Sequence, residues 1–171
     1  MELKLERCTI RDWRLDDAES LAKHANNRKV WITLRDRFPH PYTMDDAKEF
    51  LQRATNRQGR ENFYCIEIDG LAVGGIGLTI GEDVHRLSAE FGYWLAEDYW
   101  GQGVMSEIVP VFVNYCLEKF SLTRMYAAAY SSNPASARVL EKAGFVFEGR
   151  LKKNVFKDGQ ILDSLLYAKT K

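Results

Sequence analysis

Residues 88–107 read Ser88-Ala-Glu-Phe-Gly-Tyr-Trp-Leu-Ala-Glu-Asp-Tyr-Trp-Gly-Gln-Gly-Val-Met-Ser-Glu107. The first part alternates and is aromatic, which predicts a strand. Gly101 and Gly103 follow, and the chain then enters a segment with apolar residues at spacings of three and four, which predicts a helix. Strand, glycine turn and helix together present backbone N–H groups at a helix N-terminus, where the first turn has no internal partner and the helix dipole is positive. Such a place suits an anion, usually a phosphate. No Gly-Lys-Ser/Thr follows, so this is not a Walker loop, and Ser106 stands where a Rossmann fingerprint would have its third glycine.

Downstream, Ile108, Val109, Phe112, Val113, Cys116 and Phe120 share one helix face, with Pro110 inside the run. A proline there frees the carbonyl of Ser106 and costs about 3 kcal/mol in a helix interior. Residues 125–130 predict a strand. Asn133 caps a helix over residues 134–143, with Pro134 at its first position and Gly144 as the stop. Residues 145–151 and 161–169 close the chain as two strands around Lys157-Asp158-Gly159.

Upstream, residues 63–69 and 71–80 form a hairpin across Asp69-Gly70, and a polar loop over residues 81–86 leads into the strand over 87–95. Residues 3–13 alternate well enough for one strand, with Leu3, Leu5 and Arg7 on a common face. Asp16 and Asp17 open a helix carrying Leu21, Ala22 and Ala25. Residues 26–42 read as a short helix and a loop stiffened by Pro39 and Pro41. Thr43, with Asp46 three residues on, caps a helix that places Ala47, Phe50 and Leu51 on one face and ends at Gly59. The expectation is a single α+β domain over residues 1–171, with a mixed, mainly antiparallel sheet of about six to seven strands flanked by four helices.

Composition narrows the function classes. The chain has 171 residues, 46% of them hydrophobic, with 24 basic and 24 acidic side chains. No global charge recommends nucleic acid or a membrane surface as a partner. Cys8, Cys65 and Cys116 are widely spaced, which suggests reduced thiols rather than a disulfide framework or a zinc site. His24, His40 and His85 are scattered without metal-ligand spacing and read as surface residues, so no metal is expected. With no apolar leader and no run approaching the ~20 residues of a membrane span, a cytoplasmic protein is expected.

The glycine turn gains meaning from a second motif, Asn133-Pro-Ala-Ser-Ala-Arg-Val-Leu-Glu-Lys-Ala-Gly-Phe145. Taken with Glu90-Phe-Gly-Tyr-Trp-Leu95 and Tyr99-Trp-Gly-Gln-Gly-Val-Met-Ser-Glu107, in this order and separation, it resembles the GNAT superfamily of acetyl-CoA-dependent N-acetyltransferases. The Tyr-Trp-Gly-Gln-Gly form and the ending Glu148-Gly-Arg-Leu151, Asp158-Gly159, Asp163 and Tyr167 resemble the branch that acetylates the N-termini of ribosomal proteins. The resemblance covers essentially the whole chain and implies acetyl-CoA as cosubstrate, with no metal. Its pyrophosphate loop, Gln/Arg-x-x-Gly-x-Gly/Ala, falls on Trp100 to Met105, with Trp100 in place of the basic or amide residue and Met105 in place of the small one. It implies that Gln102, Gly103, Val104, Met105 and Ser106 offer N–H groups to the pyrophosphate. It further implies that Leu95, Ala96 and Asn133 meet the pantetheine arm, Asn133 being equally suited to a plain helix cap.

Acetyl transfer to an amine requires a base for the amine's proton, donors for the oxyanion, and an acid or hydrogen bond for the departing thiolate. The family's usual tyrosine acid falls on Leu140, which cannot fill that role. Ser136 matches a serine that the ribosomal-protein branch uses near the sulfur, and it equally suits a capping position. Glu90 is the candidate base: on its strand it shares a face with Gly92 and Trp94, beside room for a ligand. A solvated or salt-bridged glutamate would read the same way. Tyr99, Tyr115 and Tyr130 are residual candidates for the acid, each suited to core packing.

In the superfamily the acceptor lies over the counterpart of residues 26–42, where Trp31, Arg35 and Phe38 stand, with Arg37 and Tyr42. Their mixture of aromatics and cations suits an acidic or amide-bearing peptide, and equally a loop packed on its own rings. The expected function is transfer of acetyl to a primary amine, preferably a protein N-terminal α-amine. The alternatives are a small-molecule amine such as a polyamine or aminoglycoside, or a non-catalytic acyl-CoA-binding module. A homodimer is compatible with the resemblance.

Overall fold

The computed structural model describes residues 1–56 and 59–171. Among the described residues, eight strands lie in one mixed sheet in the order β1-β2-β3-β4-β5-β6-β8-β7, with five α-helices in an α+β arrangement. In chain order these are β1 (Glu2–Lys4), β2 (Thr9–Asp12), α1 (Ala18–Ala25), α2 (Arg28–Trp31), α3 (Met44–Asn56), β3 (Glu61–Ile68), β4 (Leu71–Ile80), β5 (Ser88–Leu95), α4 (Val104–Lys119), β6 (Arg124–Tyr130), α5 (Pro134–Lys142), β7 (Val146–Lys157) and β8 (Gln160–Thr170). The chain packs as two compact units, residues 1–78 with 92–104, and residues 79–91 with 105–171.

In the first unit, the single strand expected over residues 3–13 is a hairpin: Glu2 pairs with Arg11 and Lys4 with Thr9. Leu5 donates its N–H to the Cys8 carbonyl at 2.9 Å, closing a turn whose tip, Glu6-Arg7, is exposed. That turn supplies the eighth strand. β2 then pairs antiparallel with β3, Ile10 opposite Ile66. The β3–β4 hairpin turns on Asp69 and Gly70, both at positive φ, as a two-residue primed turn requires. α3 starts on a reciprocal cap: Thr43 N–H donates to Asp46 Oδ2 at 2.7 Å, and Asp46 N–H donates to Thr43 Oγ1 at 3.2 Å. The last residues of that predicted helix, 57 and 58, lie outside the described residues.

Trp13, Leu21, Ala25, Tyr42, Ala47, Leu51 and Cys65 form the buried core of this unit. Each large side chain there contributes about 1.5–3 kcal/mol by leaving water. Beneath it lies a buried charge network. The Arg11 guanidinium meets both Asp17 oxygens, at 2.7 and 2.8 Å, and its Nε donates to Glu67. His24, read as a surface residue, is half-buried, with Nδ1 2.9 Å from the Ser20 carbonyl and 3.1 Å from that of Ala72. His40 is also half-buried, and only His85 is exposed.

In the second unit, the first residues of β5 run parallel to β6, with Glu90 opposite Tyr126, and β8 lies antiparallel between β6 and β7. α4 buries Ile108, Val109, Phe112, Val113 and Cys116, the face read from the sequence. It passes through Pro110 without interruption. α5 ends in a Schellman motif: Phe145 N–H donates to the Leu140 carbonyl and Gly144 N–H to that of Glu141, both at 3.0 Å, with Gly144 at φ 83°.

Candidate functional site

Along the chain, the end of β5 delivers the turn that was expected to hold an anion. Ala96 donates its N–H to the Val73 carbonyl of β4 at 2.8 Å, fixing the exit from the strand. A 3-10 turn over Glu97–Tyr99 follows. Gly101 (φ 73°) and Gly103 (φ 80°) then take conformations that cost a side-chain-bearing residue about 1 kcal/mol or more, and α4 begins at Val104. Nothing lies within 4 Å of where a Cβ would stand on either glycine, so the space above this backbone is open. The sixteen-residue α4 follows directly on this turn of exposed residues, and a helix N-terminus of this kind suits an anion.

Two main-chain groups expected to meet the pantetheine arm are already engaged. The Leu95 carbonyl accepts from Trp100 Nε1 at 2.7 Å, and the Ala96 N–H is given to Val73. The second lone pair of Leu95 O and the Ala96 carbonyl, which accepts from Tyr99 N–H at 3.1 Å, keep acceptor capacity.

In the same unit, α2 carries Trp31, half-buried, with the Arg28 guanidinium 5.3 Å from its ring centroid and His40 at 5.8 Å. Phe38 stacks 4.9 Å from Tyr42 and 5.5 Å from Trp94, as part of the packed rim of the core; Arg35 is exposed. Two residues missed by the sequence reading belong here. Glu97 accepts from Asn27 Nδ2 at 2.8 Å and from Lys29, tying α2 to the turn before the glycines and holding the Glu97 carboxyl below its usual range, chiefly through Lys29. Nothing in the sequence marks that pair. Trp94 seats its indole over Gly75, where a Cβ would stand 2.7 Å from Nε1. The paired glycines Gly74 and Gly75 inside a strand were the legible sign of such a close approach.

In the second unit, Glu90 is half-buried on β5, on the strand face opposite Ala89 and Phe91, which are buried. Two residues further along the strand, Gly92, already of the first unit, is exposed, with open space where its Cβ would be. Met105 and Ser106 form the first turn of α4 and are half-buried. Asn133 caps α5 by accepting from Ser136 N–H at 3.2 Å, which places the Ser136 hydroxyl in the first helical turn. Leu140 is wholly buried. Tyr115 accepts from Lys119 at 2.8 Å, eleven residues and thus roughly 16 Å along α4 from Val104. Among the described residues no cluster of His, Cys, Asp and Glu could hold a metal ion, and no helix is long and apolar enough to cross a membrane.

Residues 7–146 match the acetyltransferase (GNAT) domain. The Bacillus subtilis (strain 168) protein named "Probable N-acetyltransferase YjcK" is 40% identical over 171 residues, covering 94% of each chain. The ribosomal-protein-serine acetyltransferase of Escherichia coli (strain K12) is 29% identical, over 82% of this chain and 80% of its own. The spermidine N(1)-acetyltransferase of Vibrio cholerae is 24% identical, over 91% and 88%. Among solved structures, Mycobacterium smegmatis RimJ in complex with CoA-disulfide superposes with a TM-score of 0.83 at 27% identity, over 95% of this chain and 81% of that one. The family model and these relatives define the class as an acyl-CoA-dependent transferase. The chain belongs to the GNAT acetyltransferase family. It is an N-acetyltransferase that uses acetyl-CoA as cosubstrate, and the ribosomal-protein branch is the part of the family it resembles.

Proposed function

We propose that the protein transfers acetyl from acetyl-CoA to the N-terminal α-amine of a protein. The carrying observation is the character of residues 28–42: four cations, Arg28, Lys29, Arg35 and Arg37, stand among Trp31, Phe38 and Tyr42 with one carboxylate, Asp36. Lys29 and Arg37 are ion-paired to Glu97 and Glu61, which leaves a smaller excess of positive charge there. A polyamine, the acceptor named for the Vibrio relative, gains little from such a surface, whereas a peptide bearing acidic side chains or amide groups would meet cations and ring faces. The 29% identity to an enzyme named for ribosomal-protein serine supports the same acceptor class.

In this reading the N–H groups of Gln102, Gly103, Val104, Met105 and Ser106 hold the diphosphate. Leu95, Ala96 and Asn133 border the pantetheine arm, and Trp31, Arg35 and Phe38 border the acceptor. Glu90, through water, takes the proton that the amine must lose before its nitrogen bonds to the acetyl carbon. As the carbon–sulfur bond opens and its electron pair moves to sulfur, the Ser136 hydroxyl donates a hydrogen bond to the thiolate. Leu140 leaves the tyrosine's place without an acid. CoA release from acetyl-CoA, followed with a panel of N-terminal peptides of differing charge, spermidine and an aminoglycoside, tests the proposal. Turnover should be fastest with acidic peptides. Faster turnover of spermidine would overturn the acceptor assignment, and acetyl-CoA binding with no turnover on any acceptor would favour a binding module.

A further inference from the structure

The family's pattern implies an amide or cationic side chain at position 100, able to reach the ligand. The Trp100 side chain has a single donor, its indole N–H, and that donor is committed at 2.7 Å to the carbonyl of Leu95. The ring itself stays substantially exposed, 43% of its residue surface, so burial of the ring alone does not account for the choice of residue. What the bond does is geometric. It joins the last residue of β5 to the residue before Gly101 and closes the intervening loop into a ring. Further ties reinforce it: Tyr99 N–H donates to the Ala96 carbonyl at 3.1 Å, Trp100 N–H to that of Glu97 at 3.0 Å, and Gln102 Nε2 to that of Asp98 at 2.8 Å. Gly101 and Gly103, left to themselves, would be the most disordered residues of the segment, because glycine has the most backbone freedom to lose.

We infer that Trp100 is a positioning residue for the diphosphate: its indole N–H holds the loop over residues 96–103 in shape, so that the N–H groups after Gly101 converge before the ligand arrives. This rests on the reading of residues 102–106 as the diphosphate cradle. The loop gives up a side-chain contact to the ligand and gains order, and a site ordered in advance loses less entropy on binding. The side chain acts on the ligand only through the backbone it braces.

Trp100→Phe keeps an aromatic ring, smaller than the indole, and removes the donor. Dissociation constants for CoA, 3′-dephospho-CoA and pantetheine, by calorimetry for the first two and NMR titration for the third, separate the possibilities. Pantetheine lacks the diphosphate. The variant should bind CoA and dephospho-CoA about three- to tenfold more weakly, the worth of one net hydrogen bond, and pantetheine within about twofold, because Leu95 and Ala96 stay fixed by the bond from Ala96 N–H to the Val73 carbonyl. Amide exchange over residues 101–106 of the free protein should quicken, while that of α5 should not. Equal weakening toward all three ligands, or weakening toward none, overturns the inference and leaves the cradle standing. A wild-type protein that binds CoA no better than pantetheine overturns the cradle, and the inference with it.

Discussion

Leu140, at the position matching the family's tyrosine acid, is wholly buried, and the proposed mechanism therefore rests on Glu90 and Ser136. In Glu90→Gln the proton acceptor is gone while shape is kept. The acid limb of the kcat/KM profile against pH should flatten, and kcat should fall by about 10²- to 10⁴-fold, the usual span for a general base. A profile unchanged in shape would remove Glu90 from the role. In Ser136→Ala, kcat should fall by more than the affinity for acetyl-CoA, since a bond made to developing thiolate is absent in the ground state. Equal kcat would leave Ser136 as part of the helix start only. Both proposed roles come from the sequence, Glu90 from strand alternation beside Gly92 and Ser136 from the family resemblance. Glu97 and Trp100 were not legible there, because both are defined by partners that only the folded loop brings within reach: Lys29 lies 68 residues away, and Leu95 is met by an indole whose exposed ring gives no burial signal.

Among the elements, boundaries marked by capping chemistry were read correctly and one set by alternation was not. Thr43 with Asp46, Asn133 with Pro134, and Gly144 each carry their reason in one or two side chains. The break between β1 and β2 does not, since Leu3, Leu5 and Arg7 keep a period of two straight through a turn made by a backbone bond. The cap of α3 yields a pH prediction. Bonds from the Thr43 hydroxyl and N–H hold the Asp46 carboxyl below its ordinary 3.8. A carboxyl lowered in the folded state adds stability that is complete above its unfolded value and disappears as pH falls through the folded one. Denaturant midpoints of Asp46→Asn should therefore lie below wild type at pH 7, and the gap should close below about pH 4. A gap constant down to pH 2 would show that the carboxylate charge is irrelevant to the cap.

For the molecule as a whole, the Arg11 network gathers β2, the turn over Leu15–Asp17 and β3 around one cation. Asp17 also accepts the Arg14 N–H at 2.8 Å. Asp17→Asn would strand a buried guanidinium and should cost about 3–5 kcal/mol, seen as a lower midpoint in urea with an unchanged slope. A loss under 1 kcal/mol would mean that Glu67 alone satisfies Arg11. The sequence disclosed Asp16 and Asp17 as helix-opening acids without this pairing, because a buried arginine reads on paper like any alternating strand position.

The three cysteines, all buried, carry one more consequence. Burial pushes the Cys116 thiol up to about 12 and the Cys65 thiol higher still, so neither offers thiolate to an electrophile at neutral pH. A chromogenic disulfide reagent added to the working enzyme should thus register only the CoA set free, with an idle-protein baseline near zero. The same reagent added in mild denaturant should count up to three sulfurs per chain, at the pace with which each core opens. One colour change then serves as turnover meter and as a clock for local unfolding.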